Sequence, residues 1–181
     1  MLITIFFFSV LLVSIELAYI GKVTGFLQKK LSTADLIKLL SAALIPFVFI
    51  YAGVTFGKFG IKYTAEYTQW YAATVFFILG VKLFYDGFRL HKIKQIINPL
   101  QNRGLFILAI LTGINSFFAG LGFGLLNIKT LYVYYAIALL FTGILWGYFT
   151  GFTTKKLNNH RYEFFLGIIY IIIAIFIIIK N

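Results

Sequence analysis

Six long apolar stretches, separated by short polar segments, dominate the pattern of hydrophobic and polar positions along this 181-residue chain. They cover residues 2–27, 34–56, 68–85, 105–126, 131–151 and 164–179. About 20 apolar residues in a helix cross the hydrocarbon core of a bilayer, and a helix satisfies its own backbone polar groups there. The pattern therefore predicts an all-α integral membrane protein with six transmembrane helices in a single membrane domain, residues 1–181.

The composition of the chain indicates a lipid environment and excludes several kinds of site. Hydrophobic residues make up 61% of the chain, whereas soluble domains have roughly 45–50%. The chain contains no cysteine, which excludes disulfides, thiolate metal sites and cysteine nucleophiles. The net charge of +11 does not indicate nucleic-acid binding, because the basic residues lie in short loops between apolar stretches.

The distribution of lysine and arginine predicts an orientation. The first, third and fifth connections hold ten basic residues, and the opposite side holds four. Positively charged loops stay in the cytoplasm, so both termini are expected on the opposite, extracytoplasmic side of the membrane. The first stretch lacks a basic leader and a convincing cleavage site, and we expect it to be retained.

An internal repeat relates the two halves of the chain. The first and fourth stretches align without a gap at an offset of 99, and this alignment pairs Glu16 with Asn115 and Gly21 with Gly120. Three spans per half force the second half to insert upside-down, a common plan among transporters. We therefore predict two inverted three-helix repeats, residues 1–88 and 105–181, joined by a cytoplasmic linker, residues 89–104. Gly21 and Gly25 also predict a bend or a partly unwound stretch in the first helix.

Polar side chains deep in these stretches are the candidate functional residues. Glu16 is the one carboxylate deep within any stretch, and ionisable groups at that depth usually face a cavity or a partner. In the fourth stretch, Thr112, Asn115 and Ser116 share one helical face. Oxygen ligands of these kinds suit manganese, magnesium, calcium or alkali ions. The alternatives are helix packing for the hydroxyls and structural pairing with a lysine or the backbone for Glu16.

The remaining polar residues suggest structural roles. Asp86 follows Lys82 by four residues, which predicts an ion pair or part of a cytoplasmic gate. Lys38 and Lys82 are placed to extend toward the basic side of the membrane. The chain has no Ser–His–Asp set, phosphate loop or nucleotide fingerprint, so we expect neither an enzyme nor a bound cofactor.

Three short motifs carry a family resemblance: Ser14-Ile15-Glu16-Leu17, Leu79-Gly80 followed by Asp86-Gly87-Phe88-Arg89, and Asn115 followed by Gly120 and Gly122. They resemble motifs of the manganese efflux pumps, a family of small six-helix bacterial exporters. The family has a Ser-x-Asp-Ala motif in its first helix, where this chain has Ser14-Ile15-Glu16-Leu17. The end of its third helix is similar to Leu79-Gly80 followed by Asp86-Gly87-Phe88-Arg89, and its fourth helix carries an aspartate where Asn115 precedes Gly120 and Gly122. The resemblance implies Mn²⁺ export, with the two membrane carboxylates binding the ion.

Two departures from the family bear on the cargo. The family's membrane aspartates are Glu16 and Asn115 here, so a divalent cation would face a single carboxylate and keep a net positive charge. The expected function is a secondary exporter of a Mn²⁺-like cation, with Glu16, Asn115, Thr112 and Ser116 as the metal site and proton coupling through Glu16. The alternatives are a relative with changed cargo, such as a monovalent cation, and a non-transporting membrane partner or assembly factor.

Overall fold

The computed structural model describes residues 2–28, 33–96, 99–154 and 162–179. Within these ranges the chain is entirely helical apart from short connections, which confirms the all-α prediction. The helices are α1 (Leu2–Gln28), α2 (Thr33–Thr64), α3 (Thr68–Ile96), α4 (Asn102–Leu125), α5 (Thr130–Thr153) and α6 (Tyr162–Ile179), and a short 3₁₀ turn (Ala65–Tyr67) joins α2 to α3.

Four helices of the described part, α1, α2, α4 and α5, are long and apolar enough to cross a membrane. The apolar part of α6, Glu163–Ile179, is shorter, and α3 carries Lys82 and Asp86 in its second half. Crossing by α3 and α6 therefore stays a prediction. Because α3 continues to Ile96, the stretch predicted as a linker is helical in its first half. Several basic residues behind the orientation prediction lie outside the described residues: Lys29, Lys30, Lys155, Lys156, Arg161 and Lys180.

The helices pack as three intimate pairs, α1 with α5, α2 with α4, and α3 with α6. Smaller contacts of α1 with α4, and of α2 with α5, join the first two pairs. Large apolar side chains cover the outside of this bundle, and Trp146, Val48 and Phe106 are 73%, 58% and 56% exposed. In water such a surface would be costly, whereas lipid tails solvate it.

Glycines bring the backbones of the paired helices into direct contact. A Cβ atom on any of eight glycines would lie against backbone of the facing helix: Gly21, Gly25, Gly147 and Gly151 between α1 and α5, and Gly53, Gly57, Gly120 and Gly124 between α2 and α4. Small residues favour such close approach in lipid, where packing replaces the hydrophobic effect. The predicted unwinding of the first helix is wrong, because α1 is continuous through Gly21 and Gly25 and these glycines serve the contact with α5 instead.

A left-handed residue ends α4 and turns the chain toward α5. Asn127 has a φ of 55°, a conformation that asparagine tolerates better than most residues. The Asn127 N–H donates to the Gly124 carbonyl at 2.9 Å, and the Ile128 N–H donates to the Phe123 carbonyl at 3.1 Å. This Schellman arrangement satisfies the last carbonyls of α4 in a tight connection.

Gly147→Ala is expected to destabilise the protein, because the new methyl group would collide with the Ala18 carbonyl oxygen of α1. Overpacking of this kind costs about 1–3 kcal/mol, more than the roughly 1 kcal/mol that alanine gains in helix propensity. The measurement is the melting temperature of the purified protein in detergent. Gly60→Ala is the control, since its Cβ would lie at an ordinary 3.4 Å from Leu125 Cδ2. Equal melting temperatures for the two variants would contradict the close contact of α1 with α5.

Candidate functional site

Glu16 and Asn115 meet in the interior of the bundle, where α1 faces α4. The Asn115 Nδ2 donates to both carboxylate oxygens of Glu16 at 3.2 Å. The two residues are only 2% and 4% exposed. The predicted approach of these side chains is therefore confirmed. Their contact joins the first half of the chain to the second, and a buried carboxylate requires such a polar partner.

A lysine from α3 holds the other end of the Asn115 amide. The Lys82 Nζ donates to Asn115 Oδ1 at 2.6 Å and to Asp86 Oδ2 at 2.8 Å. Asp86 is buried, and the side chain of Lys82 is about one-third exposed. The predicted ion pair between Lys82 and Asp86 is confirmed. Four side chains thus form one continuous chain of hydrogen bonds, which we call the relay: Glu16, Asn115, Lys82 and Asp86.

The relay determines which way the Asn115 amide points. An ammonium group only donates hydrogen bonds, so it requires the carbonyl end of the amide, and an ionised carboxylate only accepts, so it requires the NH₂ end. Both requirements agree with the orientation seen, in which Oδ1 faces Lys82 and Nδ2 faces Glu16. The carbonyl oxygen of Asn115 is therefore directed away from the Glu16 carboxylate.

Charge in the relay is negative overall but unevenly placed. It contains the carboxylates of Glu16 and Asp86 and one ammonium, from Lys82. The ammonium lies between the Asn115 oxygen and Asp86, so Glu16 is at the negative end. The amide hydrogens of Asn115 face the Glu16 carboxylate, whereas the amide oxygen is bonded to Lys82.

The polar face predicted on α4 is buried, and part of its hydrogen-bonding capacity is used locally. Thr112 and Ser116 are almost fully buried, and the Ser116 hydroxyl donates to the Thr112 carbonyl at 2.8 Å. A serine bonded to its own backbone retains lone pairs that can bind a cation. The role of Thr112 and Ser116 as metal ligands stays a prediction. No group of three or more His, Cys, Asp or Glu side chains suited to a metal ion occurs among the described residues.

Lys82 is the member of the site that sequence reasoning missed. It was assigned to the membrane surface, since a lysine near the end of an apolar stretch usually extends there. A signal was nevertheless present in the sequence: Lys82 follows Leu79 by three residues and precedes Asp86 by four, so the three share one face of α3, and the structure buries Leu79 and Asp86.

Comparison with known proteins identifies the family. The family model described as "Putative manganese efflux pump" matches residues 27–178. The chain belongs to the manganese efflux pump family. A Methanoregula boonei protein named "Putative manganese efflux pump MntP" is 31% identical over 154 residues, which cover 80% of this chain and 83% of that protein. A Gloeothece citriformis protein with the same name is 28% identical over 140 residues, 77% of this chain and 72% of that protein.

Membership in the manganese efflux pump family confirms the resemblance predicted from the motifs. The range matched by the family includes three members of the relay, Lys82, Asp86 and Asn115, and begins after Glu16. No solved structure matches the chain. The arrangement of the relay is therefore read from this structure alone.

Proposed function

We propose that this protein is a secondary membrane transporter that exports a cation, with Mn²⁺ or a similar divalent metal as its cargo. The observation that carries the proposal is the buried contact between Glu16 and Asn115, which links equivalent positions of the two halves of the chain. The names of the related proteins point to the same cargo. Thr112 and Ser116, on the same face of α4, complete the proposed cation site.

The chemistry of the site favours a hard cation. Carboxylate, amide carbonyl and hydroxyl oxygens are the ligands that manganese, magnesium and calcium prefer. Burying a carboxylate at membrane depth costs free energy, so a carboxylate found there usually has a function. Glu16 has that position, and it accepts hydrogen bonds from the amide of Asn115.

The pairing of the helices supports two inverted repeats, residues 1–88 and 105–181. Exchanging α1, α2 and α3 with α4, α5 and α6 turns the α1 and α5 pair into the α4 and α2 pair, and it leaves the α3 and α6 pair unchanged. Each exchanged pair also has several glycines at its contact, contributed by both of its helices. Inverted-repeat transporters place their site where the halves meet, which is where Glu16 and Asn115 lie in this proposal.

The proposed topology has six crossings, a cytoplasmic segment between the repeats and both termini outside the cytoplasm. Reporter fusions after Lys94 and at the C-terminus are therefore expected on opposite sides of the inner membrane. A pair of reporters, one active only in the cytoplasm and one only outside it, makes the measurement. If both fusions report the same side, then an even number of the helices α4, α5 and α6 crosses the membrane and the six-crossing proposal is wrong.

The experiment that tests the function is complementation of a strain lacking its manganese exporter. Expression of the wild-type chain is expected to restore growth in Mn²⁺ and to lower cellular manganese. Growth of the same strain in excess Mg²⁺, Ca²⁺, Co²⁺ or Na⁺, with and without the protein, identifies which cation is exported. Failure to change the accumulation of any cation would favour a non-transporting membrane partner that retains the fold.

A changed cargo is the second candidate, and the composition of the relay favours it. An amide at position 115 and an ammonium at position 82 leave the site less negative than two carboxylates would. Such a site suits a monovalent cation, which needs less charge to neutralise it. Protection against Na⁺ or K⁺ stress, without protection against Mn²⁺, would select this candidate.

A further inference from the structure

We infer that Lys82 is a tethered competitor of the transported cation. In this inference its ammonium uses the Asn115 oxygen while the site is empty, and cation binding displaces it toward Asp86. Lys82 thereby sets the affinity of the site and its selectivity by charge. The inference rests on the proposed function, because it needs a cation that binds at Glu16 and Asn115.

The geometry provides for the displacement. The Lys82 Nζ is already bonded to both acceptors, at 2.6 Å to Asn115 and 2.8 Å to Asp86. When the bond to Asn115 breaks, the ammonium keeps its charged partner, so it is never left bare in the interior. The partly exposed side chain of Lys82 has room to move without repacking the core. The displacement is therefore a short movement of one side chain.

Displacement of Lys82 frees the oxygen that the cation needs. Asn115 at present offers Glu16 its amide hydrogens, which repel a cation. Once the ammonium leaves, nothing holds Oδ1 toward α3, and half a turn of the amide about its Cβ–Cγ bond directs that oxygen toward Glu16. A carboxylate and a carbonyl oxygen then face the same point. The empty and loaded states differ by this rotation and by the position of Nζ.

The ammonium also discriminates between cations. Repulsion between Lys82 and an ion beside Glu16 rises in proportion to the charge of the ion, so a dication is opposed about twice as strongly as a monovalent ion at the same distance. A transport site must bind its ion weakly enough to release it. Lys82 keeps a divalent ion from being held too tightly between the halves.

The test uses purified full-length protein and Mn²⁺ alone, with binding measured by the electron paramagnetic resonance signal of free Mn²⁺. Lys82→Met is expected to tighten Mn²⁺ binding about tenfold, because the competing charged hydrogen bond is gone. Asp86→Asn is expected to weaken it about tenfold, because the ammonium then has no charged alternative to Asn115. Lys38→Met, which removes a lysine from the more exposed pair with Asp35 at 3.7 Å, is the control and should change little.

Opposite signs for the two variants separate competition from a merely structural ion pair, which would make both variants bind Mn²⁺ more weakly. Lys82→Met leaves the buried Asp86 without its charged partner, and the protein could fail to fold for that reason. The double variant Lys82→Met/Asp86→Asn removes both charges and avoids this problem. The double variant is expected to bind Mn²⁺ more tightly than Asp86→Asn alone. Unchanged or weaker binding by every variant that lacks Lys82 would overturn the inference.

The absence of cysteine from the chain allows a sharper version of the test. Lys82→Cys can be modified at that single thiol with an aminoethyl methanethiosulfonate, which restores an ammonium, or with the neutral methyl reagent, which does not. The aminoethyl form is expected to return Mn²⁺ affinity toward wild type, and the methyl form to leave it high. Equal affinities for the two forms would reject competition by charge. If Glu16→Gln also leaves Mn²⁺ binding unchanged, the proposed function fails as well, which is a separate result.

Discussion

Glu16→Gln is expected to abolish export, so that Mn²⁺ accumulates in expressing cells as it does in cells without the protein. Glutamine has the same shape and can still accept the hydrogen bond from Asn115, so the fold should persist while the charge is lost. Unit charges about 4 Å apart attract by roughly 4 kcal/mol at an effective dielectric constant of 20, and a dication doubles this. The loss of even a third of the attraction calculated for the dication would lower the affinity for Mn²⁺ about a hundredfold.

Glu66→Gln is the matched control for this prediction, since it makes the same chemical change at an exposed position in the turn between α2 and α3. It is expected to behave as wild type in the accumulation assay. Size-exclusion chromatography of both variants checks that the bundle has formed. Normal export by a folded Glu16→Gln protein would remove Glu16 from the transport mechanism.

Asn115→Asp is expected to strengthen Mn²⁺ binding and export, because it supplies a second carboxylate opposite Glu16. At the 3.2 Å separation seen for the amide, two carboxylates repel each other, and a divalent cation between them relieves that repulsion. The new charge also attracts the Lys82 ammonium, now 2.6 Å from Oδ1. The dication still gains more, since its attraction to each added negative charge is about twice that of an ammonium.

Asn115→Leu is the companion variant, because it removes both the amide oxygen and the amide hydrogens while keeping the branched shape of the side chain. It is expected to weaken Mn²⁺ binding, and the two variants together separate charge from simple disturbance of α4. The same manganese accumulation assay applies. A monovalent-cation transporter would respond oppositely to Asn115→Asp, with weaker Na⁺ or K⁺ transport, because the second carboxylate would hold the ion too tightly or take up a proton.

Sequence reasoning located the helices and the central contact because both follow from strong local rules. Apolar stretches in lipid must be helical, and the starts of the six predicted stretches fall close to the starts of the six helices. Polar residues at membrane depth avoid lipid, so the equivalent positions of Glu16 and Asn115 predicted that both side chains face inward. The Lys82–Asp86 pair followed from a spacing of four residues on one helix.

The features that were missed depend on which helices become neighbours. Whether Lys82 extends to the membrane surface or turns inward depends on the placement of α3 beside α4, which no local pattern contains. The role of Gly21 and Gly25 also depends on the neighbouring helix. A glycine in a helix can weaken the helix, which predicts a bend, or it can allow another backbone to approach closely. The facing Gly147 and Gly151 lie more than a hundred residues away in sequence.

Every intimate helix pair in the described part of the chain joins a helix of the first half to one of the second. In the proposed six-crossing topology, α1, α2 and α3 therefore enter the bilayer during synthesis before the helices that they pack against exist. Each must persist as a separate helix with its glycine faces against lipid until the second half arrives. The Lys82–Asp86 pair would lower the cost of holding α3 in lipid before α6 arrives, since the two charges neutralise each other within one helix. The bond from Asn115 to Glu16 can form only after α4 has been added, so the site cannot exist before the second half of the chain begins to pack against the first.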